Sequence, residues 1–412
     1  MIFIRPSRRE FLSGAGAALL ATGVRAQDIP YSALREPGFK LRAVRSPTRL
    51  TSEEALEAPN FGTAAGPVLK LERGTALTAS FANDLDIAVT VATQGLRGRA
   101  VDGADTPVAP GETRKLVFTA PDPGSFLYRL IAADTTREGD TILLAGPILV
   151  SADEPSIADQ DVVVALNAIA LPDKGAGKPP RRLALVNGVP DLKLKARPGE
   201  RLRLRFINLN PFAPAAAVLP EGVAIIALDG QPCPPFPPLE RRLILPPLGR
   251  ADVLVEAAQT GMMQIQDDFE AGRFLVDITV EGEPAAPREL AGVLPDNPAL
   301  PRELPLQKAS RATWKAGSAP KDPLVTAKKG QTVEISIANG EELCAVAIEG
   351  HTARHLDALD DGWKPWWNDT LLIEPGATER LAFIAGEPGR YAVNLMPLEG
   401  EAPSARAFFV VS

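Results

Sequence analysis

The sequence predicts an all-β protein of three tandem β-sandwich domains. Two repeated units and their spacing carry that prediction. The first unit runs from Gly74 through Leu77, Ala79 and Phe81 to Asn83. It recurs from Gly199 through Leu202, Leu204 and Phe206 to Asn208, and from Gly330 through Val333, Ile335 and Ile337 to Asn339. The offset from glycine to asparagine is the same each time, and the apolar residues alternate with Thr, Ser, Arg or Glu. Period two means a strand with one buried face. Glycine opens it through a turn, and the asparagine amide is placed to cap a loop. The second unit is turn, strand, turn, strand. It reads Pro110-Gly111, Leu116–Phe118, Pro123-Gly124, then Leu248-Gly249, Val253–Val255, Gly261, then Pro375-Gly376, Leu381–Phe383, Pro388-Gly389. The copies lie at intervals of domain size, too long for a solenoid and right for sandwiches.

The composition agrees and excludes much chemistry. Of 412 residues, 34 are Gly and 40 Pro, which suits a chain of short strands and turns. A formal net charge of −7 argues against a partner recognised through a phosphate backbone, so no nucleic acid is expected. Two cysteines exclude a disulfide scaffold, a four-cysteine zinc site and an iron–sulfur cluster. Two histidines exclude any multinuclear site built on imidazoles. No nucleophile elbow or phosphate loop is present.

Taken in order, residues 1–26 read as an export signal. Arg8-Arg9-Glu10-Phe11-Leu12 leads into an apolar, small-residue stretch that ends at Val24-Arg25-Ala26. This is the pattern of a twin-arginine signal with Arg8 and Arg9 as the address, and it implies a periplasmic protein. The alternative, a short anchor, meets the objection that the apolar run is below the ~20 residues a span needs. No other segment suits a transmembrane span. The first domain is placed at 27–153 and the second at 158–283, with 170–182 as an exposed loop inside it. A Pro- and Glu-rich linker at 284–299 leads to the third domain at 300–412.

Three tandem sandwiches with these turns resemble the multicopper oxidase family, built from cupredoxin domains of Greek-key topology. Asn187-Gly188, Asp229-Gly230-Gln231-Pro232 and Gly249-Arg250-Ala251-Asp252 look like family hallmarks. The resemblance covers nearly the whole chain after the signal. The family holds copper through four histidine-rich motifs. At the positions matching its ligands stand Ala92 and Gln94 in the first motif and Arg129 and Ile131 in the second. The third has Cys344, Ala347 and Glu349, and the fourth has Asn394, Leu395, Met396 and Gly400. Every ligand position that can be placed is substituted. Blue copper needs a thiolate with two imidazoles, and the family's trinuclear site needs imidazoles throughout. The resemblance therefore implies copper as the family cofactor and no copper here. It points to a copper-free, SufI-type branch with a binding or scaffold role toward an envelope or cell-division protein. The alternative is a divergent copper oxidoreductase.

Remaining candidates are few. Cys344 and Met396 are soft ligands that together suit Cu(I), against the commoner reading of both as core. A Cys233–Cys344 disulfide would have to link two domains. His351 and His355 are four apart, a metal spacing only on a helix, and the segment reads as strand and loop, so both are expected at the surface or hydrogen-bonded. Asp267, Asp268, Asp357, Asp360 and Asp361 lack the spacing of a calcium loop and read as solvated charge. Trp363, Trp366 and Trp367 fall between two strands. They are either an exposed anchor for a partner, or a plug for the space left by the lost ligands, or packing between domains.

Overall fold

The structure is a computed structural model. It describes residues 39–50, 55–62, 66–98, 100–103, 106–133, 141–152, 156–171, 181–356, 364–398 and 405–412. The export-signal reading of Arg8 and Arg9 lies outside them, as do Trp363, Gly400, Asp357, Asp360 and Asp361. Among the described residues the helical elements are two three-residue 3₁₀ turns, Leu239–Arg241 and Leu306–Lys308. The rest is strand and loop, in three pairs of sheets.

The repeats explain the architecture. Each glycine-to-asparagine strand lies beside the strand of the second unit, antiparallel to it. Ala76–Asp84 pairs Thr113–Thr119, Glu200–Asn208 pairs Arg250–Ala257, and Thr332–Ala338 pairs Thr378–Ile384. On its other side each takes a parallel partner that opens the domain: Phe39–Arg49, Gln160–Leu171 and Ser310–Lys315. The second sheet of each sandwich closes over the alternating apolar face. Phe81 and Phe118 bury against Phe126 and Tyr128 in the first domain. Leu204 and Phe206 bury against Ile265 and Ile278 in the second, and Ile335 and Phe383 against Val393 and Phe409 in the third.

The repeat asparagines do what their position predicts. The Asn83 amide donates to the carbonyls of Ile87 and Val108, both at 2.9 Å. Asn208 donates to Ala213 and Pro246 at 2.9 and 2.8 Å, and Asn339 to Glu342 and Ile373 at 2.8 and 2.9 Å. Each ties a strand end to the loop above it, where backbone carbonyls would otherwise be unpaired.

The linker is held down along the second domain. The Ala285 N–H donates to Pro198 O at 2.8 Å and the Ala291 N–H to Ser156 O at 2.9 Å. Asn297 Nδ2 donates to Gln231 Oε1 at 2.9 Å, and Leu294 packs on Ile157, Ala158, Ile226 and Leu254.

Candidate functional site

Of the described positions that the resemblance matches to ligands, all but Cys344 and Leu395 come from two sheet faces, one in the first domain and one in the third. Along Gly124–Ala132, Phe126, Tyr128 and Leu130 point into the first-domain core. Period two then turns Leu127, Arg129 and Ile131 outward. In the third domain, Cys344, Val346 and Ile348 point inward with Val393 and Leu395. Leu343, Ala345, Ala347 and Met396 form the outer face, with Leu372, and alternation places Asn394 on it too.

Between these faces lies an ion pair. Arg129, 1% exposed, donates Nη2–H to Glu349 Oε1. The Arg406 guanidinium stands 3.4 Å from the same oxygen. Burial by itself would raise the Glu349 carboxyl, but Arg129 and Arg406 outweigh it and hold the pKa below the ordinary range. Gln94 is fully buried and donates Nε2–H to Ile348 O at 2.9 Å and to Asp369 Oδ1 at 2.7 Å. Asn394 is a buried amide beside Glu349, and the remaining described positions are apolar packing. Ile131, with Ala92 alongside, meets Ala165, Ile207, Leu209 and Leu248 of the second domain. Ala347 and Met396 pack toward Ile244 of the second domain.

This donor set does not fit copper. A guanidinium is a permanent cation with no lone pair to offer, and a carboxylate bound by two arginines is already neutralised. Among the described residues no three His, Cys, Asp or Glu side chains gather as a metal site. Strand alternation favours the reading of Cys344 and Met396 as core packing over a Cu(I) pair. Cys344 belongs to the inner core and Met396 to the outer face of the same sheet, so their sulfurs cannot converge. The disulfide, disfavoured in the sequence because it would link two domains, is not formed. Cys233 and Cys344 are both free, each in the core of its own domain. Burial pushes the Cys233 thiol up to about 12, which keeps it protonated and inert.

Neither histidine is placed as a ligand. His351 is buried, not at the surface, with the Phe383, Tyr391 and Phe409 rings 4.6–5.1 Å away. Its Nε2 accepts the Gly386 N–H at 2.8 Å, and burial pushes its pKa down to about 4. His355 lies on the strand Arg354–Leu356. Asp267 and Asp268 are salt-bridged to Arg182 and Arg242 rather than solvated.

Of the clustered tryptophans, the two described, Trp366 and Trp367, are half-buried and buried. Trp366 stacks on Phe236 of the second domain, with centroids 5.2 Å apart and planes 19° from parallel. Trp367 is 5% exposed, with the Arg354 guanidinium 5.0 Å from its ring centroid. For Trp366, packing between domains replaces the exposed anchor, and Trp367 is buried within its own domain.

Sequence reasoning missed a second polar cluster beside Gln94. Arg250 makes a two-pronged ion pair with Asp369, and Asp229 accepts the backbone N–H of Arg250, Asp369 and Thr370 at 2.8–2.9 Å. The hallmark stretches around Asp229 and Arg250 were the only signal of it. Gly95, at φ +89°, is required here, because a Cβ would sit 2.2 Å from Arg250 Nη2.

Residues 58–155 match the family model for multicopper oxidases. No curated sequence is significantly similar to the chain. Among solved structures, a multi-copper oxidase from Pseudomonas thermotolerans superposes with a TM-score of 0.77 at 23% identity, covering 92% of this chain and 100% of that one. Lac15 from a marine microbial metagenome gives 0.75 at 23%, covering 91% and 100%. The laccase-like multi-copper oxidase CueO from Ochrobactrum sp. gives 0.68 at 20%, covering 91% and 97%. The likeness is one of fold: three cupredoxin-like β-sandwiches in the arrangement of a multicopper oxidase.

Proposed function

We propose that this chain keeps the multicopper-oxidase frame without its copper chemistry, and serves as a non-catalytic binding or scaffold protein of the cell envelope. The observation that carries the reading is the Arg129–Glu349 ion pair, which occupies two positions where the family places imidazoles. In its absence of ligands and its export signal the chain resembles the SufI/FtsP branch, so the partner is an envelope or cell-division protein and not a nucleic acid. The step from fold to that role is analogy. Export by the twin-arginine route to the periplasm follows from Arg8 and Arg9. Among the described residues no helix is long and apolar enough to cross a membrane.

The second reading, a copper-binding oxidoreductase with unfamiliar ligands, is favoured only by the solved relatives, which are oxidases. Copper loading separates the two. Protein exported in excess Cu(II) is expected to show no blue absorption band, no stoichiometric copper and no oxidation of phenols. Several copper ions per chain with oxidase activity would overturn the proposal. Export is tested separately: Arg8→Lys with Arg9→Lys should leave the precursor in the cytoplasm, and continued export would refute the route.

A further inference from the structure

Where the three domains meet, two buried carboxylates share one guanidinium. Asp369 of the third domain and Asp229 and Arg250 of the second are each no more than 2% exposed. Arg250 Nη1 lies 2.9 Å from Asp369 Oδ1 and 3.4 Å from Asp229 Oδ1. From the first domain, Gln94 adds only a neutral amide to Asp369. The next charge felt by Arg250 is Asp252, which is already matched by Arg203 and Arg205. The junction therefore carries one negative charge more than its cation balances, out of reach of water. Such a surplus is costly.

We propose that this junction is a proton-linked latch, in which Asp369 takes up a proton on mild acidification and the three domains then hold together more tightly. The site of uptake is Asp369. Asp229 is fixed by donors that cannot reorient: the backbone N–H groups of Arg250, Asp369 and Thr370, with the Thr370 hydroxyl at 2.8 Å. Those donors stay in place when Asp369 takes up its proton, and that proton cancels the surplus charge. The electrostatics agree. Burial pushes the Asp369 carboxyl up, Arg250 pulls it down and Asp229 pushes it up again, leaving it at about 6. An acid whose pKa is higher in the folded than in the unfolded chain binds its proton more tightly when folded. Its contribution to stability is gained as pH falls through about 6 and lost as pH rises through that value.

Asp369→Asn provides the test, read as a difference because His351 titrates in the opposite sense over the same range. Melting temperatures of the full chain and of the variant are compared from about pH 7.5 to about pH 5. The wild-type value is expected to gain a few degrees on the variant as pH falls. A constant difference, or a wild type that loses ground on acidification as for an ordinary ion pair, would overturn the proposal. If the variant does not fold, infrared difference spectra of the wild type decide. A buried carboxylic-acid band should appear between pH ~7 and ~5, and its absence is the negative result.

Discussion

Arg129 and Glu349 illustrate how two charges make each other tolerable between domains. Arginine on a sheet face between two domains is tolerable only if its charge is met, and Glu349 meets it from the opposing domain. Replacing Glu349 with Gln would leave Arg129 buried without its counter-ion. The expected loss is about 3 kcal/mol, the lower end for a broken buried pair because the carboxylate keeps some contact with water. Urea unfolding of Glu349→Gln measures it, and a loss below about 1 kcal/mol would place the pair among ordinary surface bridges. His351 gives a second expectation at this scale. Its folded pKa is depressed to about 4, and the unfolded imidazole takes a proton near ~6.5. Its contribution is full above ~6.5 and is lost as pH falls from there toward 4. The advantage of wild type over His351→Gln in unfolding free energy should shrink across that interval. A constant advantage would show that the ring is not held neutral.

Strand alternation decided what the site residues could do together. Cys344 and Ala345 are neighbours in sequence and lie on opposite faces of one sheet, and the same holds for Leu395 and Met396. Residues adjacent along one strand therefore divide between the interior of the third domain and its contact with its neighbours. The segment 364–369 then fastens that domain to the second. Trp367→Ala should cost about 3–5 kcal/mol, as for truncation of a buried Trp. The stack of Trp366 on Phe236 should give a coupling of about 1 kcal/mol in a double-mutant cycle of Trp366→Ala and Phe236→Ala. Zero coupling would mean that Trp366 is not held by the second domain and would restore it as a candidate partner anchor.

At the scale of the whole molecule the three sandwiches share buried polar contacts that water cannot replace at low cost. Ser125 of the first domain donates to Asp252 of the second at 2.7 Å. Gln94 binds the third, and Arg250 joins second to third. Separating any domain would strand charges or amides that are now paired. Calorimetry of the full chain should therefore show one cooperative transition. Three resolved transitions would mean that the domains fold and melt independently.

The sequence by itself determined the strands, their repeats and the three-domain order, because period-two burial and glycine turns are local properties written along the chain. It also determined that no set of imidazoles exists, since that follows from counting. It left Trp366 and Trp367 between an anchor and a packing role, treated Asp229 and Arg250 only as parts of hallmark stretches, and gave Asp369 no role. Tertiary structure decided those cases. Whether an arginine is a solvated charge or a buried cation depends on which carboxylates another domain brings to it. Arg129 and Glu349 are 220 positions apart, and Arg250 and Asp369 are 119 apart. No local pattern encodes such a pairing. The packing of three domains creates it, and the low dielectric of their junction gives it its energy.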